Sequence, residues 1–367
     1  MKILGIDTIL HDVCAAVVEN DRLVLSNVAE HTIMDSGKLY QLVDLHLNQI
    51  CSAIRKAIKK AKCRPEEISL ISVNNFGSFF SNTLIGVVAA KTLAEIFGKP
   101  LITIHHQEAH YFSNWLERGP EDFKFPVLVL SSSGGHSSIV KILDGKFNFK
   151  ELFTIDAMRK KSRNLPDFTG IGAMYSYVAN ALKIGGPISS APVLFKYAKK
   201  GDKRRFDFYK QIARSFNIAK LDFSVMQKLI NQTISGEMNK NRHLSRKFIC
   251  DIAASFEDSM ARLIATGLIE LAAKEKAEEI HLVGGISAND TLRDVIKNEC
   301  LKNGFGFKYP KKKSYCTDNA AMIASLGYYK YCLLPIKQRK RLLTRKIKIN
   351  SNLKLEEIAL NQRKNAY

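Results

Sequence analysis

One order of elements occurs twice in this chain of 367 residues, and that recurrence restricts the fold more than any single motif does. The first copy opens with a strand at 2–8. A hairpin of strands at 13–19 and 22–28 follows, turning at Glu19-Asn20-Asp21-Arg22. Leu47, Ile50, Ile54, Ile58 and Ala61 then recur at helical spacing within 40–61. Ile68 to Val73 reads as a buried strand, and Ser81-Asn82 caps an apolar helix from Leu84 to Phe97 that stops at Gly98-Lys99-Pro100. The second copy opens with a strand at Phe125 to Ser131. Its hairpin, Ser137 to Leu143 and Phe147 to Phe153, turns at Asp144-Gly145. Helices follow, then a strand at Glu279 to Val283 and a helix from about Asp290. There is no short-period repeat. The pattern predicts an α/β protein of two duplicated lobes with ligand at the strand ends between them. The first lobe spans 1–115 and is completed by a helix at about 319–334. The second spans 120–318, and 335–367 is a basic extension that reads as solvated or substrate-gripping rather than as a folded unit.

Charge narrows the partners. The formal net charge is +21, an imbalance that a solvated surface does not require and that suits a polyanion such as nucleic acid. The basic residues cluster at Lys199, Lys200, Lys203, Arg204 and Arg205, at Lys311 to Lys313, and along the tail from Lys337 to Lys348. A basic proteome background would produce the same sign without such a partner. The hydrophobic content of 46% supplies an ordinary core. No apolar run approaches a membrane span, and Met1 leads straight into a strand without signal-peptide shape. Seven scattered cysteines without a C-x-x-C pair fit a reducing, cytoplasmic setting and no structural zinc module.

Four short segments carry candidate chemistry. His106 and His110 stand one helical turn apart directly after the strand Leu101 to Ile104, so they can hold one metal ion from one side. Asp318, in a polar break before an apolar helix, is placed to complete the set. A mixed nitrogen and oxygen donor set suits iron, zinc or manganese. A zinc peptidase would need Glu directly after the first histidine, and Gln107 stands there. Ser133-Gly134-Gly135-His136 opens the second hairpin, and Gly284-Gly285 follows a strand and precedes Asn289. Both glycine pairs let backbone amides approach anionic oxygens. The helix start after Asn289 is expected to attract phosphate or ribose oxygens. His136 and Asp12 are candidates for assisting charge and proton movement. Asp7 at its strand end reads as an ordinary cap. Gly170, Gly172, Gly185 and Gly186 bracket an apolar helix, Met174 to Ile184, whose Met and Tyr residues read as core.

Taken together, these segments resemble the universal tRNA threonylcarbamoyl transferases (TsaD-like, formerly called glycoproteases). The resemblance runs over most of 1–330. It is carried by the opening M-K-I-L-G-I-D-T, Ile85-Gly86 through Ala94, and H-H-Q-E-A-H at 105–110. S-G-G-H-S at 133–137, L-D-F-S at 221–224, Ser255-Phe256-Glu257-Asp258, G-G-I-S-A-N at 284–289 and C-T-D-N-A-A-M-I-A at 316–324 extend it. It implies the two-lobed actin-like ATPase fold, a duplicated ribonuclease H-like architecture. It implies His106, His110 and Asp318 as ligands of one divalent metal, iron or zinc. It implies Ser133, Gly134, Gly135, Gly172, Ser176, Gly185, Gly284, Gly285 and Asn289 as positions along threonylcarbamoyl-AMP or another adenine nucleotide. The implied partners are tRNA, a separate threonylcarbamoyl-adenylate synthase, and accessory proteins or a paralogue, with no membrane.

The sequence departs from the family at several points. Where the family has G-E-A-F-D-K this chain has Gly172-Ala173-Met174-Tyr175-Ser176-Tyr177, so Ser176 replaces an aspartate. The opening turn reads Ile9-Leu10-His11-Asp12 in place of S-C-D-E, and S-G-L-K-T after L-D-F-S is missing. His11-Asp12 and the run from Gly172 to Val178 look like the related O-carbamoyltransferases of small metabolites. Those proteins carry an extra domain that makes their adenylate, which has no counterpart here. The alternatives are therefore a carbamoyltransferase of that kind and a catalytically degenerate scaffold of a modification complex.

Overall fold

A computed structural model describes residues 1–9, 12–31, 39–76, 80–133, 136–156, 170–185 and 191–342. In chain order its first elements are β1 (Lys2–Ile9), β2 (Asp12–Glu19), β3 (Leu23–His31), α1 (Leu39–Lys60), β4 (Ile68–Phe76), α2 (Phe80–Phe97), β5 (Leu101–His105) and α3 (His106–Phe112). There follow β6 (Val127–Ser132), β7 (His136–Ile142), β8 (Phe149–Asp156), α4 (Ile171–Ala181), α5 (Ala191–Ala198), α6 (Phe208–Ile212), α7 (Ser224–Asn241) and α8 (Arg246–Lys274). The chain ends with β9 (Glu279–Val283), α9 (Asp290–Lys302), β10 (Gly306–Lys308), α10 (Ala320–Leu333) and α11 (Ile336–Arg341). Two compact units result: Met1–Asp122 with Pro310–Tyr367, and Phe123–Tyr309.

Each unit holds one five-stranded sheet, ordered β3-β2-β1-β4-β5 in the first and β10-β9-β6-β7-β8 in the second. The hairpin contacts β1-β2 and β2-β3 in the first sheet and β6-β7 and β7-β8 in the second are antiparallel, and the other two contacts of each sheet are parallel. Read from its first strand, each sheet therefore has the same order and directions, the duplicated ribonuclease H-like pattern that the resemblance implies.

In the first unit the sheet is covered on both faces, which is why β1 and β2 are nearly continuously apolar. Leu4, Ile6, Val13, Ala15 and Val17 face a core shared with Ile50, Ile54 and Ala57 of α1 and with Val87 and Ala90 of α2. The opposite face of β1 carries Gly5, where a Cβ would sit 2.2 Å from the carbonyl oxygen of Ala320. That absence of a side chain lets α10 lie directly on the sheet. Every residue of α10 from Ala320 to Gly327 is buried, as a helix apolar all round should be.

Two sequence expectations need correction. No apolar run was expected to approach a membrane span, yet α2 has 18 residues at a mean hydropathy of 1.2, long and apolar enough by length and composition. It buries Ile85, Gly86, Val87, Ala90 and Ala94 in the first unit and carries Asn82 and Thr83 inside as well. The stretch after Pro335 was expected to be solvated or to grip substrate rather than to form a folded unit. Ile336–Arg341 forms the short helix α11 with no buried residue, and Arg339 donates to the carbonyls of Leu334 and Cys332 and lies over the Tyr331 ring. The tail beyond Leu342 lies outside the described residues. The unit boundary also falls earlier than Asp318. The first unit resumes at Pro310, because Lys311, Lys312 and Tyr315 all bond to Glu117.

In the second unit, Leu128, Leu130 and Ile139 of the sheet pack against α4 and α8. α8 is the central helix, with buried residues along its length from Phe248 to Ala272.

Candidate metal centre and nucleotide-contacting turns

The end of β5 turns directly into α3, so the histidines of the first motif leave the sheet at its edge. The His105 side chain accepts from the Gln107 amide and caps that helix. His106 and His110 follow one turn apart, both buried, with ring centroids 4.6 Å apart and nearly perpendicular planes. Asp318 comes from the other end of the chain. The Asn319 side chain accepts from the Met322 amide and caps α10, leaving Asp318 just outside that helix, where its carboxylate faces α3.

The three side chains converge. His110 Nε2 is 3.1 Å from His106 Nε2 and 3.0 Å from Asp318 Oδ1, and His106 Nε2 is 3.4 Å from the same oxygen. A first-row divalent ion binds nitrogen and oxygen ligands at roughly 2.0–2.2 Å, which sets neighbouring ligand atoms about 3.0–3.4 Å apart at octahedral or tetrahedral angles. The three distances match that spacing, so the cluster could hold one metal ion.

Asp7, the carboxylate that reads from sequence as an ordinary cap, is fully buried beside this cluster, with Oδ2 3.2 Å from His106 Nδ1. Such a carboxylate fixes the imidazole tautomer and turns Nε2 towards a metal. The electrostatics follow. Burial alone would lower the proton affinity of His106, but Asp7 and Asp318 on either side outweigh it and raise the pKa to about 10. Burial and the neighbouring His106 lower that of His110. Burial opposes ionisation of Asp318, yet the two imidazoles hold its carboxyl far below the usual range. Burial raises the Asp7 carboxyl against the pull of His106. Glu108, on the buried back of α3, meets Lys330 Nζ of α10 at 2.5 Å. That ion pair ties together the two helices that flank the cluster.

The second unit contains the glycine turns. The Ser133 amide donates to the His136 carbonyl at 2.9 Å, closing the turn before β7; Gly134 and Gly135 lie outside the described residues. His136 opens β7 half-buried, paired in register with Asp156. Ser137 Oγ lies 2.9 Å from Ser132 Oγ and accepts from the Ile171 amide, tying the hairpin to the start of α4. Gly172 and Ser176 are half-buried one turn apart on α4. Gly185 lies half-buried in the bend beyond that helix. Tyr175 has no exposure and packs edge-on against Phe195 and Phe256, so it is core.

The two glycines at 284–285 differ. Gly284 has φ +78, and a Cβ there would sit 2.5 Å from the Ser132 carbonyl oxygen. It is required by the fold. At Gly285 a Cβ would meet nothing within 4 Å, so the turn at Gly285–Ala288, which buries Ile286 and Ser287, is open to an approaching group at its first residue. Asn289 is committed internally: Oδ1 accepts from the Leu292 amide, and Nδ2 donates to Glu257 Oε1 at 2.8 Å. The start of α9 also carries Asp290. A capped helix start with an acidic first residue weighs against phosphate at that point; the backbone at Gly285 before it is the open element. Asp12 stands at the start of β2 in the first unit, bonded to His31 Nδ1 at 2.7 Å.

Comparison with known proteins decides the family. The family model described as tRNA N6-adenosine threonylcarbamoyltransferase matches residues 42–325. The enzyme of that name from Clostridium botulinum is 32% identical over 97% of this chain and 98% of its own length. That from Thermodesulfovibrio yellowstonii is 32% identical over 90% and 95%. The chain belongs to the tRNA N6-adenosine threonylcarbamoyltransferase family. Among solved structures, component A of the (R)-2-hydroxyglutaryl-CoA dehydratase of Acidaminococcus fermentans is similar with a TM-score of 0.49 at 13% identity, over 90% of this chain and 98% of that one.

Membership makes the chain a transferase of a metal-dependent type that uses an adenylate and acts on tRNA. Two residues beyond the sequence-predicted set gain meaning beside it. Asp7 stands in the quoted opening motif, but only its contact with His106 distinguishes it from a cap. Glu257 stands in a quoted motif too, and only the fold shows a buried carboxylate behind the 284–289 turn.

Proposed function

We propose that this chain moves a threonylcarbamoyl group from threonylcarbamoyl-AMP to the exocyclic amine of the adenosine beside a tRNA anticodon, releasing AMP. Family membership over nearly the whole length supports the reaction class. The observation that carries the reading to particular residues is the convergence of His106, His110 and Asp318 on one point. A divalent ion held there, iron or zinc, supplies Lewis-acid polarisation of substrate oxygens. Asp7 holds the His106 ring in the tautomer that presents Nε2. The Glu108–Lys330 pair holds the two ligand-bearing segments in register. The open turn at Gly285–Ala288, together with Ser133, Gly134, Gly135, Gly172, Ser176 and Gly185, is the proposed nucleotide contact. Asn289 is proposed to act there by holding the turn through Glu257. Asp12 and His136 are proposed to assist charge and proton movement.

The tRNA is proposed to be held through phosphate contacts, with strong salt dependence. Exposed Lys199, Lys200 and Arg204 support this more directly than Lys203 and Arg205, which pair with Asp258 and Asp251. A separate cytoplasmic synthase, as the family resemblance implies, is proposed to supply the activated group. No observation favours a carbamoyltransferase of small metabolites: of the Asp12 and Tyr175 motifs that suggested one, Tyr175 is core and Asp12 is bonded to His31. Nor is a scaffold favoured, since a buried two-histidine, two-carboxylate cluster costs desolvation that a scaffold has no use for. The test is transfer of labelled threonine to unmodified tRNA by the metal-loaded chain with a supplied synthase. Absence of transfer by folded, metal-containing protein rejects the reading.

A further inference from the structure

Asp7 is not the only polar residue on its face of the sheet. Directly opposed residues share a face, as do residues two apart on one strand. Asp7 opposes Cys14, Ile9 opposes Asp12, and Asp12 opposes His31. Asp7, Cys14, Asp12 and His31 therefore lie on one face. It is the face that α10 covers: Gly5 receives Ala320, and Cys14 Sγ lies 3.7 Å from the Asp318 carbonyl oxygen. Asp12 and His31 form the next rung, about 7 Å along the strands from Cys14. At that rung β1 and β3 end and β2 begins, and it is the same end of the sheet at which β5 hands over to α3. Asp12 Oδ1 is 2.7 Å from His31 Nδ1; the Asp12 side chain is 21% exposed and that of His31 60%. A half-sheltered carboxylate on Nδ1 orients the ring and directs Nε2 to proton transfer.

We propose that His31 is the general base of the transfer, positioned by Asp12. The inference rests on the transferase reading above and adds to it the residue that takes the proton. The lone pair of an adenine amine is delocalised into the ring, so attack on an acyl carbon needs that nitrogen to lose a proton as the bond forms. The amine nitrogen forms a bond to the carbamoyl carbon. The bond from that carbon to the phosphate oxygen breaks, and AMP leaves with the electron pair. The amine proton passes to His31 Nε2 and from there to solvent. Asp12 holds the ring through Nδ1 and does not touch substrate.

The experiment is single-turnover transfer from supplied threonylcarbamoyl-AMP to unmodified tRNA by the full metal-loaded chain. Wild type is compared with His31→Ala, Asp12→Asn and the double variant, each with and without imidazole. Metal affinity by chelator competition and thermal unfolding run beside it. The expected result is a rate loss of roughly 100-fold or more for His31→Ala, with metal affinity and unfolding unchanged and the rate partly restored by imidazole. Asp12→Asn should lower the rate without imidazole rescue, and the double variant should be no slower than His31→Ala, since the pair acts as a unit. Full activity in His31→Ala beside an active wild type overturns the base assignment alone. A loss that imidazole leaves untouched gives His31 a structural role and overturns it too. An inactive, folded, metal-loaded wild type overturns the transferase reading itself, and with it the base.

Discussion

The proton on His106 should make both metal affinity and metal-free stability depend on pH, in opposite senses. His106 lies between the buried carboxylate of Asp7 at 3.2 Å and that of Asp318 at 3.4 Å, and its pKa rises from the usual 6.5 to about 10. A folded-state value raised above the unfolded one stabilises the metal-free protein fully below about pH 6.5, and that contribution disappears as pH climbs towards 10. The whole effect is at most about 5 kcal/mol, lost at about 1 kcal/mol per pH unit. For a unit of this size that is about 2–4 °C in Tm per pH unit. A metal ion needs the Nε2 lone pair and must displace the proton. Apparent metal affinity should therefore rise about tenfold per pH unit between pH 6 and 8. His110, whose pKa is lowered by burial and by His106, should add less to that slope than His106 does. Chelator competition across that range measures the slope, and calorimetric unfolding of metal-free protein from pH 6.5 to 9 measures the stability. A pH-independent affinity, a slope of two protons, or metal-free stability that rises with pH would refute the electrostatic account of the site.

Further outcomes follow from single contacts. Asp7→Asn keeps the shape but removes the charge behind His106, and should weaken metal binding about 10- to 100-fold and flatten the pH dependence of metal-free stability; isothermal titration and unfolding across pH decide. Lys330→Met removes the ammonium that faces the Glu108 carboxylate, which has no exposure. It should destabilise by about 3–5 kcal/mol in denaturant unfolding, whereas Lys330→Arg should recover most of that. Gly284→Ala places a Cβ against the Ser132 carbonyl at positive φ and should cost about 1–3 kcal/mol. Gly285→Ala meets open space and should leave stability within about 0.5 kcal/mol while weakening adenine-nucleotide binding. Equal stability losses at the two glycines would contradict the distinction.

Much of the fold was legible locally. The alternation and turn residues of β1 to β3 and of β6 to β8 announce two hairpins, and their recurrence announces the duplication, because strand periodicity and turn chemistry are short-range properties. His106 and His110 were legible as a pair for the same reason: helical spacing puts them on one face. Other features depend on elements far apart in the chain. Asp7 could not be separated from a cap without the approach of α3, nor Glu108 from a solvated residue without Lys330 of α10. Nor does spacing show that Asn289, quoted as a ligand position, spends its side chain on a cap and on Glu257.

The sequence by itself determined the strand and helix alphabet, the doubled order of elements, the family, and which side chains could bind a cation, since each of these is encoded in spacing along the chain. Tertiary structure alone decided that Asp318 reaches the two histidines, that Asp7 stands behind them, and that Gly284 is structural while Gly285 is open. Those are matters of which distant backbone lies against which, and that is settled only when Gly5 lets α10 settle onto the first sheet and burial forces every charge beneath it to find a partner.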